Sequence, residues 1–228
     1  MTWIVMVVIL IFCFFATRKA TSGKPTGAQN VLEWLFDFIR SMISESVDWK
    51  KGGSLFSYLV TLIMFLFFAN MLGLVPNITF GIFHNVHFAQ LNEIFSGPTF
   101  SSPTADVNTT GALAILTLIL FNAYGFKFHK VKYLKHFIEP FAFFLPINIV
   151  ELVAKPMTLA MRLFGNIFAG EVLIKLILSL PGLALIAGGV ILNPIWLGFS
   201  VFVGVIQAFV FTALTLAYVN QSIGSDEH

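Results

Sequence analysis

An all-α polytopic membrane protein is predicted, with five to six membrane helices, the last two long, strongly tilted and paired as a hairpin. Three observations predict it. Of the 228 residues, 57% are hydrophobic and 11% charged, with 27 phenylalanines, whereas a soluble domain carries about 25% charged residues. The apolar residues come in runs over 3–16, 55–75, 111–126, 137–154, 156–180 and 190–219, and about 20 such residues cross a hydrocarbon core. The basic residues gather in two of the connections between these runs and avoid others. The whole chain, 1–228, reads as a single membrane domain.

The first span is placed at 1–17. It is short, as if the chain began inside its first helix, and it is no signal peptide: no basic residue precedes it, and Arg18 and Lys19 follow. Residues 18–53 form a cytoplasmic amphipathic segment, in which "VLEWLFDFIRSMISESVDW" (31–49) mixes apolar and charged positions at helical spacing and anchors at the interface. The second span, 54–76, has no charged residue but contains Asn70. An outer loop, 77–110, includes "SGPTFSSPTADVNTT" and carries Asp106 and Asn108 up to the third span, 111–126. Capping that helix and lining a water-filled entrance are both open roles for these two residues. A cytoplasmic loop, 127–136, leads to two long helices, 137–180 and 190–220, joined near Pro181–Gly189. At 1.5 Å per residue, 30 residues reach about 45 Å, beyond a roughly 30 Å core, so these helices must tilt.

Orientation follows from the basic residues. Arg18, Lys19, Lys24, Arg40, Lys50 and Lys51 lie in 17–53, and Lys127, Lys130, Lys132 and Lys135 in 127–136. The connections 76–110 and 181–189 have none. The first pair is therefore cytoplasmic and 76–110 outside. The N-terminus is then outside and, with 137–154 inserting without fully crossing, the C-terminus is cytoplasmic. Lys155, Arg162 and Lys175 remain to be explained.

Arginine at mid-bilayer costs about 3 kcal/mol on insertion scales, and its guanidinium keeps its proton. Arg162 can attract a carboxylate or block a cation, but it cannot relay protons. Asn166 follows by four residues, and Thr158 and Gly170 continue the stripe, leaving room for a neighbour. Glu171 is about half a turn out of phase with Arg162 and roughly 13 Å along the axis, so the two do not pair within one helix. A carboxylate there suits a group that takes up and releases protons. Glu151, nearly in phase with Arg162 across Pro156, is a second candidate on the cytoplasmic side. In the last helix Ser200, Gly204, Ala208 and Thr212 make a small-residue ridge that lets helices approach. Gln207, nearly in phase with Ser200, is placed to hydrogen-bond Arg162 or Glu171 across the hairpin.

The sequence contains no GxxxxGK[ST] phosphate loop and no metal-ligand spacing. His84 and His87 fall in the outer loop, and His129 and His136 among lysines. The net charge of +2 is too small to point to nucleic acid, and Cys13 has no second cysteine to pair with. No internal repeat is visible, which weighs against a self-contained secondary transporter. An intramembrane enzyme built on Glu171 and Glu151 lacks an accompanying nucleophile. The pattern is that of a conductor of charge with no catalytic site and no cofactor of its own.

"KPMTLAMRLFGNIFAGE" (155–171) and "SVFVGVIQAFVFTALTLAYV" (200–219) closely resemble subunit a of bacterial F-type ATP synthases, nearest to Gram-positive versions. "RKATSGKPTGAQNVLEWLFDFIR", "FFANMLGLVP" and "SPTADVN" extend the resemblance over nearly the whole chain. It implies that Arg162 faces a rotating ring of c subunits, that Asn166, Glu171 and Gln207 belong to proton half-channels, and that Asp106, Asn108 and Asn70 lie at the outer entrance. It further implies a b-subunit peripheral stalk, an indirect link to the F1 sector, and a place in the bacterial cell membrane. Two positions depart from the pattern. Some relatives have His at Ser200, partnering the carboxylate at Glu171. Lys175 replaces a usually apolar residue one turn after Glu171, where relatives from alkaliphilic bacilli also have a lysine in this helix. Lys175 either tunes proton capture at Glu171 through an i,i+4 pair or snorkels to the interface.

Overall fold

The computed structural model describes residues 2–18, 20, 25, 27–83, 102–129, 145–178 and 192–223; within these, the side chains of 74–83, 129, 145, 149, 171, 174, 175, 177, 178 and 193 are outside the description. The described residues form helices α1 (Thr2–Arg18), α2 (Ala28–Ser46), α3 (Trp49–Gly52), α4 (Phe56–Phe83), α5 (Val107–His129), α6 (Leu145–Leu178) and α7 (Asn193–Ile223). Short 3₁₀ turns at Gly53–Leu55 and Pro103–Ala105 lead into α4 and α5, and no strand occurs among the described residues. The fold is all-α, as the composition demands: in lipid a helix satisfies its own backbone groups. The expected outer loop, cytoplasmic loop and hairpin turn fall largely on 84–101, 130–144 and 179–191, outside the described residues.

Three described segments are long and apolar enough to cross a membrane: Trp49–Gly73, Val107–Phe128 and Pro194–Ile223, with Thr2–Arg18 a shorter apolar helix. α6 is not among them because five charged residues interrupt it. With 34 and 31 residues, α6 and α7 would reach about 51 Å and about 46 Å. α4 runs seven residues beyond the expected boundary at 76, and α5 begins four residues before 111. α6 passes unbroken through Pro156. Proline removes one helical hydrogen bond. Its ring is buried here, and the leucines that follow are anchored, so packing carries the helix across the gap.

The core has two parts, with α4, α5 and α7 common to both. One joins Ile39 and Ile43 of α2 to Leu59 and Met64 of α4, Phe121 of α5, and Leu216 and Val219 of α7. The other joins Leu62 and Leu66 of α4 to Ala114 of α5, Leu159 and Leu163 of α6, and Ala208 and Phe211 of α7. α2 is amphipathic as expected. Leu32, Ile39 and Ile43 are buried on one stripe, and Glu33, Asp37 and Arg40 are exposed. Arg40 lies 5.2 Å above the Trp49 ring, a cation–π contact at the surface. Ser54 and the Tyr124 hydroxyl, 2.7 Å apart, tie the start of α4 to the end of α5.

α6 and α7 run antiparallel. Lys155, early in α6, meets Gln221, late in α7, at 3.2 Å. Gly170, late in α6, lies beside Ser200, early in α7. Leu159 and Leu163 are 1% and 0% exposed, whereas Met157 is 57% exposed, which fixes the rotation of α6. Leu163→Ala should therefore cost about 2–5 kcal/mol through the cavity it leaves. Met157→Ala should cost well under half of that, and thermal unfolding of the two variants in detergent checks the contrast.

Candidate functional site

Two polar regions flank the second core. The first is the outward face of α6. Burial of Leu159 and Leu163 leaves Thr158 and Arg162 exposed, with Asn166 and Gly170 half-buried along the same stripe. Thr158 donates to the Ala154 carbonyl at 2.7 Å, so its hydroxyl is spent inside its own helix. Among the described side chains Arg162 has no ion-pair or hydrogen-bond partner. The exposed surroundings are apolar: Met161, Phe168 and Val172 on α6, and Phe199, Phe202, Ile206 and Phe209 on α7. A cation thus stands on a wide apolar surface, with no anionic side chain beside it among the described residues.

Glu151 and Arg162 are not brought together. Glu151 pairs instead with Lys155 at 2.9 Å, one helical turn away. Lys155 also donates to the Gln221 side-chain oxygen at 3.2 Å and lies 5.6 Å above the Tyr218 ring. With the Glu151 side chain 58% exposed, the ion pair itself is worth about 0–1 kcal/mol. Its contribution is to register, tying the start of α6 to the end of α7. Lys155 is explained by this contact. The i,i+4 spacing that signals it is plain in the sequence, whereas the α7 partners are not.

The second region is buried between α4, α7 and the turn before α5. Asn70 is 1% exposed. Its Nδ2 donates to the Gly204 carbonyl at 2.9 Å, and its Oδ1 accepts from the Thr104 hydroxyl at 2.9 Å. Thr104 and Ser102 hydroxyls are 2.6 Å apart, and Ser102 donates to the Ala69 carbonyl at 3.0 Å. Two glycines make room. A Cβ at Gly204 would lie 3.2 Å from the Asn70 Cβ, and one at Gly73 only 2.3 Å from the Ser102 Cβ. The small-residue ridge of α7 therefore serves α4 at Gly204 and α6 at Ser200. Thr212 closes on the Ala208 carbonyl of its own helix at 2.9 Å.

Gln207 is 6% exposed, and its Nε2 has no hydrogen-bond partner among the described residues; the Trp196 Nε1 is buried in the same condition. Of the two partners expected for Gln207, Arg162 is not bonded to it, and a bond to Glu171 falls outside the described side chains. Gln207 belongs to the inner side of α7, and Arg162 to the exposed face of α6. An orphaned buried donor in a polar seam is ordinarily met by water or by a mobile group. Asp106 caps α5: its carboxylate accepts from the Asn108 backbone at 3.0 Å and from the Asn108 side chain at 3.1 Å. Both residues are exposed, so capping and contact with water coexist. Glu171 and Lys175 continue the backbone of α6, and the pairing expected between them falls outside the described side chains. Ser102 and Thr104 were not singled out by sequence reasoning. The Ser-Pro-Thr turn just ahead of Asp106 is the signal that carries them.

Residues 1–220 match the family model described as ATP synthase A chain. The chain belongs to that family. Among curated relatives, "ATP synthase subunit a" of Desulforamulus reducens is 40% identical over 223 residues, 97% of this chain and 77% of the relative. The protein of the same name from Priestia megaterium is 38% identical, covering 99% of this chain and 91% of its own length. That of Listeria welshimeri is 39% identical over 100% of this chain and 91% of its own. Sequence resemblance and family membership thus agree across the whole molecule.

The antiparallel register of α6 and α7 is directly checkable. In a Cys13→Ser background, Gly170→Cys with Ser200→Cys should cross-link under mild oxidant, because the two positions are in contact. Gly170→Cys with Phe202→Cys, the latter on the exposed side of α7, should not, as read from mobility on a non-reducing gel.

Proposed function

We propose that this family member is the proton-conducting stator subunit of an ATP synthase membrane sector, non-catalytic by itself. In this reading the chain lies in the bacterial cell membrane with its N-terminus outside and its C-terminus cytoplasmic. It faces a c-subunit ring and contacts a b-subunit stalk, and through the complex it serves the F1 sector. One observation carries the reading: Arg162, a permanent cation, is exposed and unpartnered among the described side chains on an apolar helix face. A solitary transporter would turn such a charge inward toward its own substrate. Here the charge faces out, where a second membrane component would bring the anion.

The mechanism follows from electrostatics. Protons reach the ring carboxylate by one half-channel, neutralise it so that it can travel in lipid, and leave by the other. Arg162 stands between. As a protonated carboxylate approaches the guanidinium, its ionised form is favoured and the proton departs by the exit path. Because Arg162 cannot deprotonate and repels free cations, protons do not pass straight from one half-channel to the other. Such a leak would dissipate about 2.3 kcal/mol per proton at 100 mV. Asn166, Glu171, Gln207 and Ser200 furnish the polar groups of these paths, Glu151 lies toward the cytoplasmic side, and Asp106, Asn108 and Asn70 lie toward the outer entrance. Lys175 adjusts proton capture at Glu171.

In sealed vesicles holding the assembled complex, Arg162→Ala should abolish ATP-driven proton pumping and raise the passive proton leak under an imposed gradient. Full pumping by the alanine variant would make the arginine structural and sink the mechanism. Lys175→Ala should shift the external pH range over which the complex synthesises ATP; an unchanged profile would leave Lys175 as an interfacial anchor.

A further inference from the structure

The buried contacts around Asn70 compete for too few protons. Two hydroxyl hydrogens, those of Ser102 and Thr104, serve three short contacts: Ser102 to the Ala69 carbonyl at 3.0 Å, Ser102 to Thr104 at 2.6 Å, and Thr104 to Asn70 Oδ1 at 2.9 Å. Each hydroxyl donates once. Only when Thr104 gives its hydrogen to Asn70 does the amide have both ends bonded, since its Nδ2 is already committed to Gly204. The reverse amide orientation would set Oδ1 against the Gly204 carbonyl, two acceptors face to face. Thr104 on one side and Gly204 on the other therefore dictate how the amide is held. The amide in turn fixes where α7 sits against α4, one turn from Gln207 and its unpartnered donor.

We propose that Thr104, supported by Ser102, is a positioning residue for proton conduction: its hydroxyl orients Asn70, and Asn70 holds α7 so that the Gln207 amide faces the buried seam at a set depth. The inference rests on the proton-conducting reading above. Thr104 itself passes no proton onward, because its acceptor is an amide oxygen and the amide at Asn70 is not a relay. The stretch 102–104 acts as a peg. Ser102 enters the space that Gly73 keeps open, and the Thr104 hydroxyl ends on Asn70.

The test uses the assembled complex in sealed vesicles and reads ATP-driven proton pumping. Thr104→Val keeps the shape and removes the donor. Pumping should fall about tenfold, the factor that one orphaned buried acceptor corresponds to, and Thr104→Ser should restore it to within about twofold because the hydroxyl returns. In an Asn70→Ala background, Thr104→Val should add no further loss, as expected for residues acting through one contact. Gly73→Ala should reproduce the loss by driving the turn away from α4, and it decides the matter if Thr104→Val does not assemble. Normal pumping by both Thr104→Val and Gly73→Ala would overturn the proposal. So would failure of Thr104→Ser to rescue, or a Thr104→Val loss undiminished without Asn70. Arg162→Ala in the same vesicles separates the two levels. If it pumps normally, the conducting reading fails; if it is dead while Thr104→Val is intact, only the positioning role fails.

Discussion

The rotation of one helix about its own axis governs the functional half of this molecule, and two leucines set it. Leu159 and Leu163, one turn apart and fully buried against α4, α5 and α7, commit that side of α6 to the core. Helical geometry then leaves Thr158 and Arg162 facing out, with Asn166 and Gly170 along the same stripe. The burial behind Arg162 is strong, and among the described side chains no carboxylate neutralises its charge. Leucine packing on one side of α6 thus fixes the guanidinium on the other, exposed side.

The two polar regions obey opposite rules. Around Asn70 each amide end has a partner, the backbone approaches closely at Gly204, and the turn before α5 closes over the top. Around Arg162 the group is accessible and has no partner among the described side chains. Satisfied polar groups in a low-dielectric interior rigidify what they join, while an uncompensated charge is a standing demand for a partner. The chain keeps these behaviours apart by putting one on the inner side of α7 and the other on the outer side of α6.

The bilayer makes much of this fold legible from sequence, because every backbone group must be satisfied locally and the apolar runs translate directly into helices. Arg162 and Gln207 stand out for the same reason: a polar group in such a run carries a cost that demands an explanation. What was hidden is tertiary. Asn70 is visible as a polar residue in an apolar span, but its partners Thr104 and Gly204 are 34 and 134 residues away, and a hydroxyl in a Ser- and Thr-rich loop carries no distinguishing mark. Glu151 looked nearly in phase with Arg162, yet a lysine one turn away reaches it first.

The two ends of α7 are fastened by contacts of different stiffness. Near Gly204 the grip is a buried amide on a carbonyl with almost no clearance between backbones, so sliding α7 along its axis would break a bond and create a clash together. At Gln221 the grip is a flexible lysine that already touches two partners one turn apart, Tyr218 and Gln221, and it can follow a lengthwise shift without losing contact. Leu216 and Val219 pack that end of α7 into the core as well, so the helix is held along its length and the lysine lends compliance only to its contact with α6.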